Sequence, residues 1–235
     1  MNIIIILVLI LIMYFLYCIY NKINKKLSFN DYLKNKKIII VGPADYVNNG
    51  SFIDKFDIVV RINKGHNQIN DKEKYGSRTD ILYHCISEHY ENGGKIPEDS
   101  SINFIKFTFP EKTIYGGGKK IKKKERWEQV NQDLYINFEK KLKTMPNAGT
   151  TAIWDILNYE IKSLHITGFT LFQTDYSKLY RETAYGVNTK TGDAALKAMK
   201  ITGNHDQKNI ANYYLIDVIT DNRVTYDKEF LDGIH

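Results

Sequence analysis

Residues 38–43 read Ile38-Ile39-Ile40-Val41-Gly42-Pro43. Four consecutive β-branched or aliphatic residues with no polar alternation have no face to offer water. A strand of that kind is buried on both sides, as in a parallel sheet, and Gly-Pro ends it in a turn. A second such run is Phe56-Asp57-Ile58-Val59-Val60, and further candidate strands lie over residues 80–84, 102–109 and 163–167, the last running into Gly168-Phe169. Helical stretches lie between and after them, over residues 124–142, 150–159, 192–199 and 206–219. Alternation of buried strands with helices predicts an α/β domain, a Rossmann-like, mostly parallel sheet flanked by helices. Its ligand crevice is expected at the strand C-termini.

Upstream, residues 3–20 form an uninterrupted apolar run without a charge. As a helix it would be roughly 27 Å long, close to a bilayer core. No small-residue cleavage site follows at Tyr17-Cys18-Ile19-Tyr20-Asn21, so the run reads as an uncleaved single-pass anchor. The expected organisation is an anchor over 1–21, a basic linker over 22–37 and the α/β domain over 38–235. Lysines follow the span and none precedes it, which by the positive-inside tendency puts the domain on the cytoplasmic side. Asn49-Gly50-Ser51, a glycosylation sequon, matters only on the other side. The two cysteines, Cys18 and Cys85, lie in different segments, which argues against a structural disulfide.

The 235 residues carry a formal net charge of +6. Residues 1–37 hold six lysines against one aspartate, and residues 116–126 hold five lysines and one arginine against one glutamate. The rest is slightly acidic. A nucleic-acid partner is therefore disfavoured, and a binder using Lys119 to Arg126 stays as a minor alternative. The chain has no Cys/His cluster with zinc spacing and no Asp-x-Asp pair, which disfavours glycosyltransferases that hold nucleotide-sugars through such a metal motif. No metal site and no cofactor are expected.

Four segments carry candidate chemistry. Gly42, Pro43 and Ala44 end a buried strand in a turn whose N–H groups can receive a phosphate or ribose; the plainer reading is a strand-end turn. Val59-Val60-Arg61-Ile62-Asn63 delivers polar Arg61 and Asn63 at a strand exit; the plainer reading is a charged strand exit. Asn147, Ala148, Gly149, Thr150 and Thr151 open an apolar helix, which suits an anion, with simple N-capping by Asn147 or Thr150 as the competing explanation. His205, at a loop-to-helix junction, has the chemistry of a general base near neutral pH.

The order of these elements resembles the eukaryotic sialyltransferase family. The large sialylmotif is similar to Ile38 through Pro43 and on to Phe56 through Asn63; Gly76-Ser77-Arg78-Thr79-Asp80 resembles the family's segment just beyond that motif. The small motif is similar to Pro146 through Thr151 and then Leu164 through Phe169, and His205 stands where the very small motif places its histidine. The resemblance implies a sialyltransferase-like variant of the GT-A fold and a membrane-anchored, metal-independent, inverting transfer of sialic acid or a related acidic keto-sugar. The donor would be a CMP-sugar and the acceptor a glycan, with a Golgi-type location. It also implies roles. Asn63 and the Gly42 turn contact the nucleotide, Gly149 and Thr150 line the donor phosphate and sugar, Gly168 and Phe169 border the cytosine, and His205 takes the acceptor proton. Departures from the family pattern are Pro43 for an asparagine, Ala148 for a hydroxyl residue, and Ile210 for an acid five residues after the histidine. They motivate the alternative of a non-catalytic nucleotide- or glycan-binding membrane module.

Overall fold

Ile38 to Val41 are fully buried in β1 (Lys37–Val41), which pairs in parallel with β2 (Ile58–Ile62) on one side and β6 (Ser163–Thr167) on the other. This computed structural model describes residues 10–17, 27–85, 93–98, 100–110, 127–171, 173–180, 183–184, 187–188 and 205–234. They fall into two units, Met1–Tyr32 and Leu33–His235; helix α1 covers residues 10–17, and helix α2 (Phe29–Leu33) runs across the boundary in sequence.

In the second unit, β3 (Ile81–His84), β4 (Phe104–Phe107), β5 (Trp127–Gln129) and β9 (Val224–Tyr226) complete a seven-stranded sheet, ordered β5-β4-β3-β2-β1-β6-β9 and parallel throughout. The short strands β7 (Thr183–Ala184) and β8 (Val187–Asn188) form a separate antiparallel pair. The expected α/β architecture with a mostly parallel sheet is what the chain adopts.

Short helices α3 (Gly50–Ile53) and α4 (Lys72–Tyr75) belong to one face, where Ile53 and Tyr75 pack on Ile39, Val41, Val47 and Val59. On the opposite face lie α5 (Gln132–Leu142) and α6 (Ala148–Leu157), whose Phe138 and Trp154 rings stack 4.7 Å apart. Tyr83, Lys106 and Glu128 are register partners on β3, β4 and β5, so they share that face. Asp155 of α6 meets them: its Oδ2 accepts from the Tyr83 hydroxyl at 2.7 Å and lies 3.4 Å from Lys106 Nζ. Burial works to lower the Lys106 pKa, but Asp155, Tyr159 and Glu128 outweigh it, and the ammonium is held charged. The domain closes with α7 (Gln207–Tyr213), which continues as a π-helical turn over Tyr214–Val218, and α8 (Lys228–Ile234).

Two local expectations change. Residues 124–142 are not one helix: Trp127–Gln129 form β5, and Asn131 starts α5 by accepting the Leu134 N–H at 3.1 Å. The helix expected over 206–219 is α-helical only to Tyr213. The helix expected at 192–199 and the lysine-rich loop at 116–126 lie outside the described residues.

In the first unit, helix α1 covers residues 10–17 of the apolar run, with side chains from Ile10 to Tyr17 exposed by 49–68%. The rest of the expected anchor, 1–9 and 18–21, lies outside the described residues. Among the described residues no helix is long and apolar enough to cross a membrane.

Candidate functional site

Strand order runs outward from β1 through β2 to β5 on one side and through β6 to β9 on the other, so it reverses between β1 and β6. In open α/β sheets the ligand crevice lies outside the strand C-termini at that reversal. Here the two exits are Gly42-Pro43-Ala44 and Gly168-Phe169, and they interlock. Gly42 N–H donates to the Thr167 carbonyl at 2.8 Å and Ala44 N–H to that of Gly168 at 3.1 Å. A Cβ on Gly42 would lie 2.2 Å from the Gly168 oxygen and 2.8 Å from the Phe169 ring. Gly168 has φ +78°, in the left-handed region that favours glycine. The two glycines are thus needed for the backbones to touch. The loop after β6 returns to the same place, with Ser177 N–H donating to the Pro43 carbonyl at 2.8 Å and Tyr176 bridging Ala44.

Helix α6 begins beside this interlock. Asn147 Oδ1 accepts from the Thr150 N–H at 2.9 Å and from the Thr150 hydroxyl at 3.1 Å. A Cβ on Gly149 would stand 2.5 Å from Phe169 Cε1, so the aromatic ring after β6 lies on the first turn of α6. The N–H groups of Ala148 and Gly149 have no acceptor within the helix and carry its positive dipole end. The Thr150 side chain is fully buried and its hydroxyl is engaged with Asn147 and, at 2.8 Å, with the Tyr214 hydroxyl, which ties α6 to the π-turn.

Asn63 follows β2 with φ +50°, a left-handed conformation that asparagine tolerates. Its Oδ1 accepts the Cys85 N–H at 2.8 Å, tying the exits of β2 and β3 together. The 3₁₀ turn it opens, Asn63–Asn70, carries Gln68, whose Nε2 donates to the Gly42 carbonyl at 3.3 Å.

His205 enters from the far end of the chain. Its Nδ1 lies 2.8 Å from the Met145 carbonyl, Asp206 N–H donates to Thr144 Oγ1 at 2.8 Å, and Gln207 Nε2 to the Leu171 carbonyl at 2.7 Å. The histidine is therefore held between the segment entering α6 and the segment leaving Gly168-Phe169. A carbonyl only accepts, so Nδ1 carries the hydrogen and Nε2 presents its lone pair. Burial lowers the His205 pKa below its ordinary value, against the opposing pull of the Met145 carbonyl, so the ring is neutral at pH 7. Ile210, in place of an acid, is fully buried.

The structure thus brings together Gly42, Pro43, Ala44, Gly168, Phe169, Asn147 and Gly149 at the C-terminal end of β1 and β6. Asn63 stands on the next strand exit and His205 on the adjoining loop. Motif reading misses Tyr46 and Asp227, which hold the Gly168 turn: the Tyr46 hydroxyl is 2.7 Å from Asp227 Oδ2 and 2.7 Å from Gly168 N. No spacing signals that pair, because its members are 181 residues apart. Among the described residues no three His, Cys, Asp or Glu side chains converge as a metal would require.

No protein-family model matches the sequence, and no curated protein matches it. Solved structures do. The sialyltransferase CST-II, in complex with a trisaccharide acceptor and CMP, superposes with a TM-score of 0.50 at 12% identity, over 81% of this chain and 80% of that one. A mammalian sialyltransferase gives 0.48 at 14% identity, over 83% of this chain and 69% of that one. At these identities the likeness concerns the fold alone, which is sialyltransferase-like.

Proposed function

We propose that this chain is a membrane-anchored glycosyltransferase that moves sialic acid, or a related acidic keto-sugar, from a CMP donor to a glycan hydroxyl with inversion and without a metal. The observation that carries this reading is the convergence, at the sheet's reversal point, of two interlocked glycine turns, a helix start and His205, whose Nδ1 lies 2.8 Å from the Met145 carbonyl.

The chemistry is that of the arrangement. The turns at Gly42 and Gly168 and the Asn63 NH₂ hold the nucleoside, with Phe169 against the base. The Ala148 and Gly149 N–H groups face the phosphate, whose charge grows as the glycosidic bond breaks; a preorganised helix start stabilises it without reorganising. His205 Nε2 accepts the proton of the acceptor hydroxyl as that oxygen attacks the anomeric carbon, and CMP leaves from the opposite side. The absence of an Asp-x-Asp pair supports a metal-independent route. The exposed apolar side chains of α1 support the membrane anchor.

A thermal-shift screen with CMP and other nucleotides tests the donor. A ligand at 100 times its Kd raises stability by about 2.7 kcal/mol, and CMP is expected to do so where AMP does not. No shift with any cytidine nucleotide would overturn the reading. The buried Ile210 favours the second reading, a non-catalytic binding module. It predicts the same CMP shift with no turnover of a CMP-sugar.

A further inference from the structure

Both polar ends of one residue, Gly168, are gripped by a single short loop. Its carbonyl takes the Ala44 N–H at 3.1 Å, and its N–H meets the Tyr46 hydroxyl at 2.7 Å. Tyr46 is anchored in turn. Its hydroxyl donates to Asp227 Oδ2 at 2.7 Å, which leaves its oxygen lone pair for Gly168. Asp227 is fixed from two more directions, since its Oδ1 accepts the Phe230 N–H at 2.9 Å at the start of α8 and its own N–H donates to the Ile166 carbonyl at 3.2 Å. Burial and the neighbouring carboxylate push the Tyr46 phenol well up, so it stays a donor throughout the working pH range.

Three segments distant in sequence thus meet on the Gly168 peptide. The φ of +78° there is what turns Phe169 onto Gly42 and Gly149, where a Cβ on Gly149 would stand 2.5 Å from the ring. The hydroxyl has one near substitute: Asp227 Oδ2 lies 3.4 Å from Gly168 N, at the limit of a hydrogen bond. Without the phenol oxygen the N–H faces only that long contact, and the turn is held from one side.

We infer that Tyr46 is a positioning residue: anchored by Asp227, it fixes the Gly168-Phe169 turn and through it the pocket for a cytidine monophosphate. The link to the donor rests on the function proposed above, whereas the effect on the turn does not. In Tyr46→Phe, amide hydrogen exchange at Gly168 accelerates by about tenfold relative to the wild type. Exchange in β2 to β4 stays unchanged, and the CMP Kd measured by calorimetry rises by about the same factor. Tyr83→Phe is the control. It removes an equally committed phenol, bonded to Asp155 at 2.7 Å, from the body of the domain. It lowers stability but leaves the exchange at Gly168 and the CMP Kd where they were.

Unaltered exchange at Gly168 in Tyr46→Phe overturns the inference. Accelerated exchange with an unaltered CMP Kd overturns the link to the donor, as does an equal loss of CMP affinity in Tyr83→Phe. A wild-type chain that binds no CMP overturns the proposed function, and the exchange rates then decide the role of Tyr46 by themselves.

Discussion

Replacing Lys106 with methionine should cost this domain more than any surface charge. Lys106 is 3% exposed and Asp155 is 3% exposed, with 3.4 Å between Nζ and Oδ2. The methionine fills the space but leaves the Asp155 carboxylate buried, with the Tyr83 hydroxyl as its remaining donor. Removing one partner of a buried pair costs about 3–5 kcal/mol. The Glu128 contact, at 3.7 Å and with that side chain 34% exposed, adds little. In a domain of this size each kcal/mol moves Tm by roughly 2–4 °C, so Lys106→Met should melt about 6–20 °C lower. The loss depends on pH. Burial already pushes the Asp155 carboxyl up, against Lys106 and Tyr83, and without the ammonium it rises further. A carboxyl that binds its proton more tightly when folded gains stability as pH falls toward its folded pKa, so the variant recovers part of its deficit in mild acid. Adding Asp155→Leu removes the stranded charge, and the double variant should regain about half of the loss. A residue of roughly 1–3 kcal/mol remains for a Tyr83 hydroxyl left without its acceptor. Urea unfolding followed by circular dichroism measures all three chains. Single and double variants equally destabilised, or a single variant within about 1 kcal/mol of wild type, would rule out a stranded Asp155 charge.

Thr150→Val removes a hydroxyl committed to Asn147 and Tyr214, so stability should fall by about 1–3 kcal/mol while CMP affinity, read by calorimetry, stays within threefold of wild type. A large loss of affinity would return the hydroxyl to the ligand. The pH profile of transfer should show an acidic limb below 6.5, the ordinary histidine value, because burial lowers the pKa of His205. The rate rises with pH as Nε2 loses its proton, and a limb above 6.5 would contradict the assignment of the base.

The central strands were legible because β1 and β2 are dominated by consecutive aliphatic residues, and Ser163–Thr167 begins and ends where expected although Ser163 and His165 interrupt its apolar pattern. The edge strands were not. Trp127–Gln129 is half-buried and mixed in polarity, and it merges with the helix pattern that begins only a few residues later. Val224–Tyr226 at the other edge is as short, with one buried residue. An edge strand has one neighbour and so needs less apolar surface, which weakens its signature. Within the site, the backbone features could be read, since Gly42, Gly168 and the start of α6 announce themselves by residue type. The side-chain commitments could not. Whether the Thr150 hydroxyl faces a ligand depends on Tyr214, 64 residues on, and the hold on Gly168 depends on Tyr46 and Asp227 meeting across 181 residues. Polar pairs at such separations leave no periodicity to read.

The central claim is that a neutral His205, fixed by Met145, acts as base beside a CMP-sugar. The release of CMP from CMP-sialic acid in the presence of a galactose-terminated acceptor, compared between wild type and His205→Ala, tests it most directly. The expected result is turnover by the wild type and a loss of roughly 100-fold or more in the variant, with CMP binding retained. Turnover unaffected by the substitution, or a wild type that binds CMP but releases none from the donor, would contradict it.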